Sequence, residues 1–220
     1  MSSISSRLAA IQETIPQGVA LVAVSKYYPV EAVREAYEAG QRLFGESKAL
    51  DVTAKQEVLP PDIAWHFIGH LQTNKVKYIA PYVAMIHSID SYKLMCEVEK
   101  QAAKCGRVID VLLQIHVARE ETKFGFTFDE CREMLEREPW RQLSHLRVRG
   151  VMTIASLTPD EAQIHAEFRS VKSFFDEIRG SYFHEQPSFD TFSAGMSHDY
   201  RIAIEEGSTC VRVGTAIFAG

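Results

Sequence analysis

The chain has 220 residues, 46% of them apolar and 24% charged, which is enough to bury one sizeable core and is ordinary for a soluble globular protein. A formal net charge of −5 with no basic block argues against a nucleic-acid surface. No apolar run is long enough to span a bilayer, and Cys96, Cys105, Cys131 and Cys210 show no CxxC spacing, so they read as reduced core thiols of a cytoplasmic protein.

In chain order, residues 2–15 read as an amphipathic helix without the apolar core of a signal segment. A strand follows over 19–24, then a helix over 29–39 with Pro29 near its start, Gly40 past its end, and Val30, Val33, Ala36 and Tyr37 as its buried stripe. Leu43 and Phe44 form a second short strand before a helix running to about Val58. The third strand is 65–68, with a helix ending near Pro81, and the fourth is 83–89. A helix over 91–104 turns Leu94, Met95, Val98 and Ala102 inward and stops at Gly106. The fifth strand, 108–117, is almost wholly apolar, as expected when both faces are covered. Thr127-Phe128-Asp129-Glu130 reads as a capping box, and 146–154 as the sixth strand. Thr158-Pro159-Asp160-Glu161 reads as a second capping box, before a long helix with Ile164, Phe168, Val171, Phe175 and Ile178 at helical spacing. A seventh strand over 189–192, a helix over 199–206 stopped by Gly207, and an eighth strand over 209–213 complete the pattern.

Strands alternating with helices imply a parallel sheet with helical crossovers. About eight βα units in this length fit a compact (β/α)8 TIM-type barrel better than an open doubly wound sheet. No linker or low-complexity segment divides it, so residues 1–220 are expected to form one α/β domain. There is no room for a full helix after the eighth strand, and the extra N-terminal helix is expected to cover that gap.

In such barrels the chemistry sits where strands end, and phosphate is often held after strands seven and eight. Lys26 follows the first strand, and alternation sets it on one face with Val22 and Val24. An amine half-buried there has a lowered pKa and becomes a usable nucleophile; the other reading is a lysine that snorkels into solvent or pairs with a carboxylate. After strand seven comes Ser193-Ala194-Gly195-Met196-Ser197-His198-Asp199, where Gly195 permits close backbone approach and Ser197 either binds an anion or merely caps a helix. After strand eight comes Gly214-Thr215, with free backbone N–H groups and a hydroxyl. Arg212 lies on one face with Cys210 near the end of a buried strand and needs an anion, an acceptor or a structural ion pair. His66 and His70 are four apart, but in a strand-and-loop stretch and not on a zinc-binding helix, so no metal site is expected. Lys123 reads as a loop lysine that is solvated or lines the same mouth. No GxGxxG, GxxxxGK[ST] or GxSxG is present, which leaves dinucleotide, P-loop and hydrolase readings unsupported.

The stretches VAVSKYYP, LFGES, WHFIGHLQTNK, TKFGF, RGVMTI, SAGMSHD and GSTCVRVGTAIF run in order across almost the whole chain. Together they resemble the pyridoxal phosphate homeostasis family, also called the YggS/PROSC family. The resemblance implies a single barrel related to the alanine racemase N-terminal domain that binds pyridoxal 5′-phosphate (PLP) through a lysine Schiff base. By motif, Lys26 is then the Schiff-base lysine and Arg212 faces the pyridine nitrogen. Ser197, the backbone of Met196, Gly214 and Thr215 form the phosphate cradle, and His66 and Met152 line the ring. Ser47 stands where family members commonly carry Asn, and Ala194 where they often carry Met or Leu, leaving a smaller wall beside the site. An arginine at the pyridine nitrogen disfavours ring protonation and restrains carbanion chemistry. The resemblance also implies that alanine racemases draw a second base, a tyrosine, from a further domain for which this chain has no room. A carrier or buffer of PLP is therefore expected, with PLP-dependent apoenzymes as recipients, working as a cytoplasmic monomer. The alternative is a small PLP-dependent enzyme such as an amino-acid racemase.

Overall fold

The computed structural model describes residues 3–117 and 124–219. Thr122 and Lys123 therefore lie outside the described residues. Eight parallel strands follow one another around a closed barrel: β1 (Ala20–Val24), β2 (Leu43–Glu46), β3 (Ala64–Phe67), β4 (Met85–Ile89), β5 (Ile109–Ile115), β6 (Leu146–Thr153), β7 (Thr191–Ser193) and β8 (Cys210–Val213). The seam closes between β1 and β8, with Ala20 opposite Cys210 and Ala23 opposite Val213. Around it lie α1 (Ile4–Glu13), α2 (Val30–Glu38), α3 (Ala49–Gln56), α4 (Val76–Ile79), α5 (Tyr92–Lys104), α6 (Phe128–Arg137), α7 (Glu161–Tyr182), α8 (Tyr200–Glu205) and α9 (Thr215–Phe218). This is the expected TIM-type barrel with an extra N-terminal helix.

Alternation along each strand divides the apolar residues into two sets. The large outer set, including Phe44, Trp65 and Phe192, packs with helix residues such as Phe168 in the layer between strands and helices. A small inner cluster of Met85, Leu112 and Met152, with Ile154 packed on it, fills part of the barrel lumen. Polar side chains, among them His66, His87, Ser193 and Arg212, share the lumen with Val22 and Val24 and set up the site described below.

Several boundaries differ from the sequence pattern for local reasons. The seventh strand begins at Thr191, because Phe189 donates its N–H to Gln186 and is still in a turn. The long helix is capped by Asp160, which accepts from the Gln163 N–H, and not by Thr158, whose hydroxyl accepts from the Asp160 N–H instead. A carboxylate is the stronger acceptor at a positive helix end. The capping box at Thr127 and Glu130 forms as read. Beyond β8 a single short helix, α9, forms, and α1 packs over it: Arg7 Nε donates to the Ile217 carbonyl at 2.7 Å, and Leu8 is fully buried. Among the described residues no helix is long and apolar enough to cross a membrane.

Candidate functional site

A cavity of about 370 Å³ opens at the C-terminal mouth of the barrel. Its cationic and titratable lining residues are Lys26, His70, His198 and Arg212, and no carboxylate lines it among the described residues. In a chain of net charge −5, an acid-free pocket is a local reversal of sign that favours an anionic ligand.

Lys26 stands just past the end of β1. Of the two placements weighed for it, half-buried and solvated, the second is found: the residue is exposed, because the strand ends at Val24 and the chain turns out of the sheet. Tyr27 takes a left-handed φ of 71°, the one non-glycine to do so among the described residues. The turn is fixed from beneath. Buried Ser25 donates its hydroxyl to Glu46 Oε1 at 2.7 Å, and its carbonyl accepts from Lys55 Nζ at 2.8 Å. Lys55 also pairs with Glu46 at 2.5 Å. The amine is thus exposed, with Nζ 5.8 Å from the Tyr27 ring centroid, while the backbone that carries it is held by a buried ion pair.

Opposite, Ser197 does not cap α8, whose N-cap position is Asp199. Its hydroxyl oxygen instead accepts from the backbone N–H groups of Gly214 and Ala216, at 3.1 and 3.4 Å. One side chain thereby joins the loop after β7 to the loop after β8. Met196, Ser197, Gly214 and Thr215 all line the cavity, at the place where barrels of this kind hold phosphate. The Met196 N–H is turned back onto buried Asp199, at 2.5 Å. Gly195 is needed for a different approach from the one its sequence suggested. Its φ is 94°, and a Cβ there would fall 2.7 Å from both Tyr200 Cα and Ala203 Cβ, so the close neighbour is α8 and not a ligand.

Arg212 forms part of the cavity floor and is only 3% exposed. Its Nη1 donates to Ser193 Oγ at 2.5 Å and its Nη2 to the Thr153 carbonyl at 2.7 Å. No carboxylate pairs with it among the described residues, so the structural ion pair weighed from sequence does not form. Burial lowers its pKa from the ordinary value, since desolvation opposes the charge. Buried Asp199 acts the other way through space, but both hydrogen-bond partners are neutral, so the guanidinium is a ready site for an acceptor.

Other residues from the sequence reading fall in different places. Ser47 lines the cavity, and its carbonyl would lie 2.4 Å from a Cβ at Gly69, which keeps that position a glycine. His66 and Met152 do not line the cavity; both are buried deeper in the lumen, His66 facing His87 across 2.8 Å. Ile154 and Gln114, two residues on from Met152 and on the neighbouring strand, form the wall instead. Ala194 points outward into the helix-facing core, so it makes no wall at the site. His70 diverges from His66: its Nδ1–H donates to Asp90 Oδ2 at 3.0 Å, and its ring stacks on Phe124 at 3.6 Å between ring centroids. The sequence reading missed Gln114, Phe124, His70 and His198 as lining residues, and Ser193 and His87 beneath Arg212. Alternation along 85–89 put His87 on the lumen face with Met85, which was the available signal.

The closed barrel, with an exposed amine just past its first strand and a buried arginine on its last, is of the class of the alanine racemase N-terminal domain, whose family model matches residues 1–220. The chain belongs within that class to the pyridoxal phosphate homeostasis protein family. The pyridoxal phosphate homeostasis protein of Aquifex aeolicus (strain VF5) is 40% identical over 199 residues, covering 90% of this chain and 85% of that one. PipY of Synechococcus elongatus superposes with a TM-score of 0.92 without PLP and 0.90 with PLP bound, at 36% identity, covering 99% of this chain and all of that one. Alanine racemase of E. faecalis shares the barrel fold, with a TM-score of 0.75 at 16% identity, and is covered over 57% of its length.

Proposed function

We propose that the chain binds PLP and carries or buffers it within the cell, serving PLP homeostasis. Lys26 supplies the amine for a Schiff base, Arg212 faces the pyridine nitrogen, and Ser197, the Met196 backbone, Gly214 and Thr215 surround the phosphate, for which the Met196 and Gly214 N–H groups exchange their present acceptors, Asp199 and Ser197. Ser47 lies along the same wall. When bound, PLP supplies an aldehyde for reversible imine formation and an electron-accepting ring. The observation that carries the reading is the acid-free cavity whose floor is a buried, carboxylate-free arginine and whose rim is a lysine facing a phosphate-type loop pair. The name and PLP-bound form of the relatives support the same ligand.

Carriage is favoured over turnover because no tyrosine or carboxylate lines the cavity among the described residues, and its two imidazoles, His70 and His198, each face a carboxylate, Asp90 and Asp199. PLP-dependent apoenzymes are the proposed recipients. A cytoplasmic location fits the cysteines, which are all free. Borohydride reduction of the PLP-loaded protein followed by peptide mapping tests the site. The expected label is on Lys26, and it disappears in Lys26→Ala; a label elsewhere sinks the assignment. Rapid α-proton exchange of added amino acids in deuterated solvent would establish an enzyme in place of a carrier.

A further inference from the structure

Beneath the proposed cofactor site a line of polar side chains crosses the lumen from β8 through β7 and β4 to β3. Arg212 Nη1 donates to Ser193 Oγ, Ser193 Oγ lies 3.1 Å from His87 Nδ1, and His87 Nε2 lies 2.8 Å from His66 Nδ1. All four residues are buried, His87 and Ser193 completely.

The direction of every bond in this line follows from its first member. A guanidinium has no acceptor, so it must donate to Ser193 Oγ. The single Ser193 proton must then go to another acceptor. The neighbouring Cys210 thiol is a weak one, and burial raises its pKa and keeps it neutral, whereas an imidazole nitrogen is strong. Ser193 therefore donates to His87 Nδ1, which must be bare. His87 carries its proton on Nε2 and donates it to His66 Nδ1, which must also be bare. Burial acts in the same direction, holding both imidazoles below the ordinary range, His66 at about 4.

We propose that His87 and His66 are positioning residues for Arg212: an uncharged chain, Arg212 to Ser193 to His87 to His66, with both imidazoles as Nε2–H tautomers, orients the guanidinium without compensating its charge. A carboxylate in place of Ser193 would hold Arg212 equally well but would cancel the field it presents to the cavity. The neutral chain keeps that field directed at the ligand. The functional half of this inference rests on the reading of Arg212 as the residue under the cofactor.

Nitrogen-15 NMR of the folded protein at neutral pH reads the tautomers directly. Bare Nδ1 and protonated Nε2 are expected on both rings; an Nδ1–H tautomer or an imidazolium on either ring overturns the chain. In PLP titrations, Ser193→Ala and His87→Phe should each weaken binding roughly fivefold, the size of one lost buried hydrogen bond. Their double variant should be no weaker than the worse single one. His87→Asn, which keeps an acceptor near the Nδ1 position, should stay within about twofold of the parent. Parent-like affinity in Ser193→Ala overturns the positioning role, even if His87→Phe fails to fold. If the parent protein itself forms no adduct at Lys26, the PLP reading fails, while the tautomer result stands or falls on its own.

Discussion

At the scale of single residues, Arg212 is the most consequential side chain. Its two bound partners are neutral, so its charge is free to act on a ligand. Arg212→Leu removes a charge-assisted contact of about 1.5–3 kcal/mol, so PLP binding should weaken by roughly tenfold to a hundredfold in isothermal titration. The Lys26 imine should still be trapped by borohydride at saturating PLP. Unchanged affinity would remove Arg212 from the site. Arg212 and Ser197 stood out in the sequence because a charge in a buried strand and a serine after glycine are visible patterns. The environment of Lys26 was not legible, because alternation holds only while the strand lasts, and the chain leaves the sheet after Val24. Nor was the partner of Ser197, since nothing local encodes a bond to backbone N–H groups in the next βα loop.

At the scale of elements, the site depends on how strand ends are anchored to the helices that follow. The Lys55–Glu46 pair ties α3 to β2 and, through Ser25, to the end of β1. Both residues are buried, and Glu46 Oε2 has no hydrogen-bond partner. Lys55→Met would leave that carboxylate buried without a counter-charge, held by the Ser25 hydroxyl, at a cost of about 3–5 kcal/mol by the usual behaviour of broken buried pairs. Urea unfolding should show this, and Glu46→Gln added to Lys55→Met should recover part of the loss. A change below about 0.5 kcal/mol would mean that the pair is not structural. After β7 the constraint is steric: Gly195→Ala meets both an unfavourable φ and the backbone of α8, and its melting temperature should fall by several degrees. Helix positions were legible because stripes such as Leu94, Met95, Val98 and Ala102 repeat at helical spacing. The cap of α7 was misplaced because Thr158 and Asp160 are both good N-caps, and only their competition in the folded chain selects one.

At the scale of the molecule, the polar lumen makes stability depend on pH in a specific window. The His66 imidazole has an ordinary value of 6.5 and is held at about 4 by burial, weakly opposed by Asp110. The unfolded chain therefore binds a proton on this residue between those two values while the folded protein does not. Stability from this group is full above pH 6.5, declines as pH falls, and is lost by about pH 4. The loss is on the order of 3 kcal/mol. Denaturant unfolding at pH 7 and pH 4.5 should show it, and His66→Gln should have a flatter profile; an equal slope in both would refute the assignment. The barrel itself was legible from eight alternations of strand and helix, since each buried strand reads as an apolar run and each helix as a stripe. The lumen was not, because inward residues such as His66, His87 and Ser193 acquire their partners only through closure.

That closure has a consequence for how the binding capacity arises. The lysine stands at the end of the first strand, and the arginine and anion loops stand on the last two, so the halves of the site are remote along the chain and adjacent across the β1–β8 seam. During synthesis a nascent chain holding strands one to seven has the amine but no floor beneath the ligand. Joining such remote partners is the entropically costly, late event of assembly. A ligand held by Lys26 and Arg212 together would therefore report barrel completion, and its binding would stabilise the β1–β8 seam.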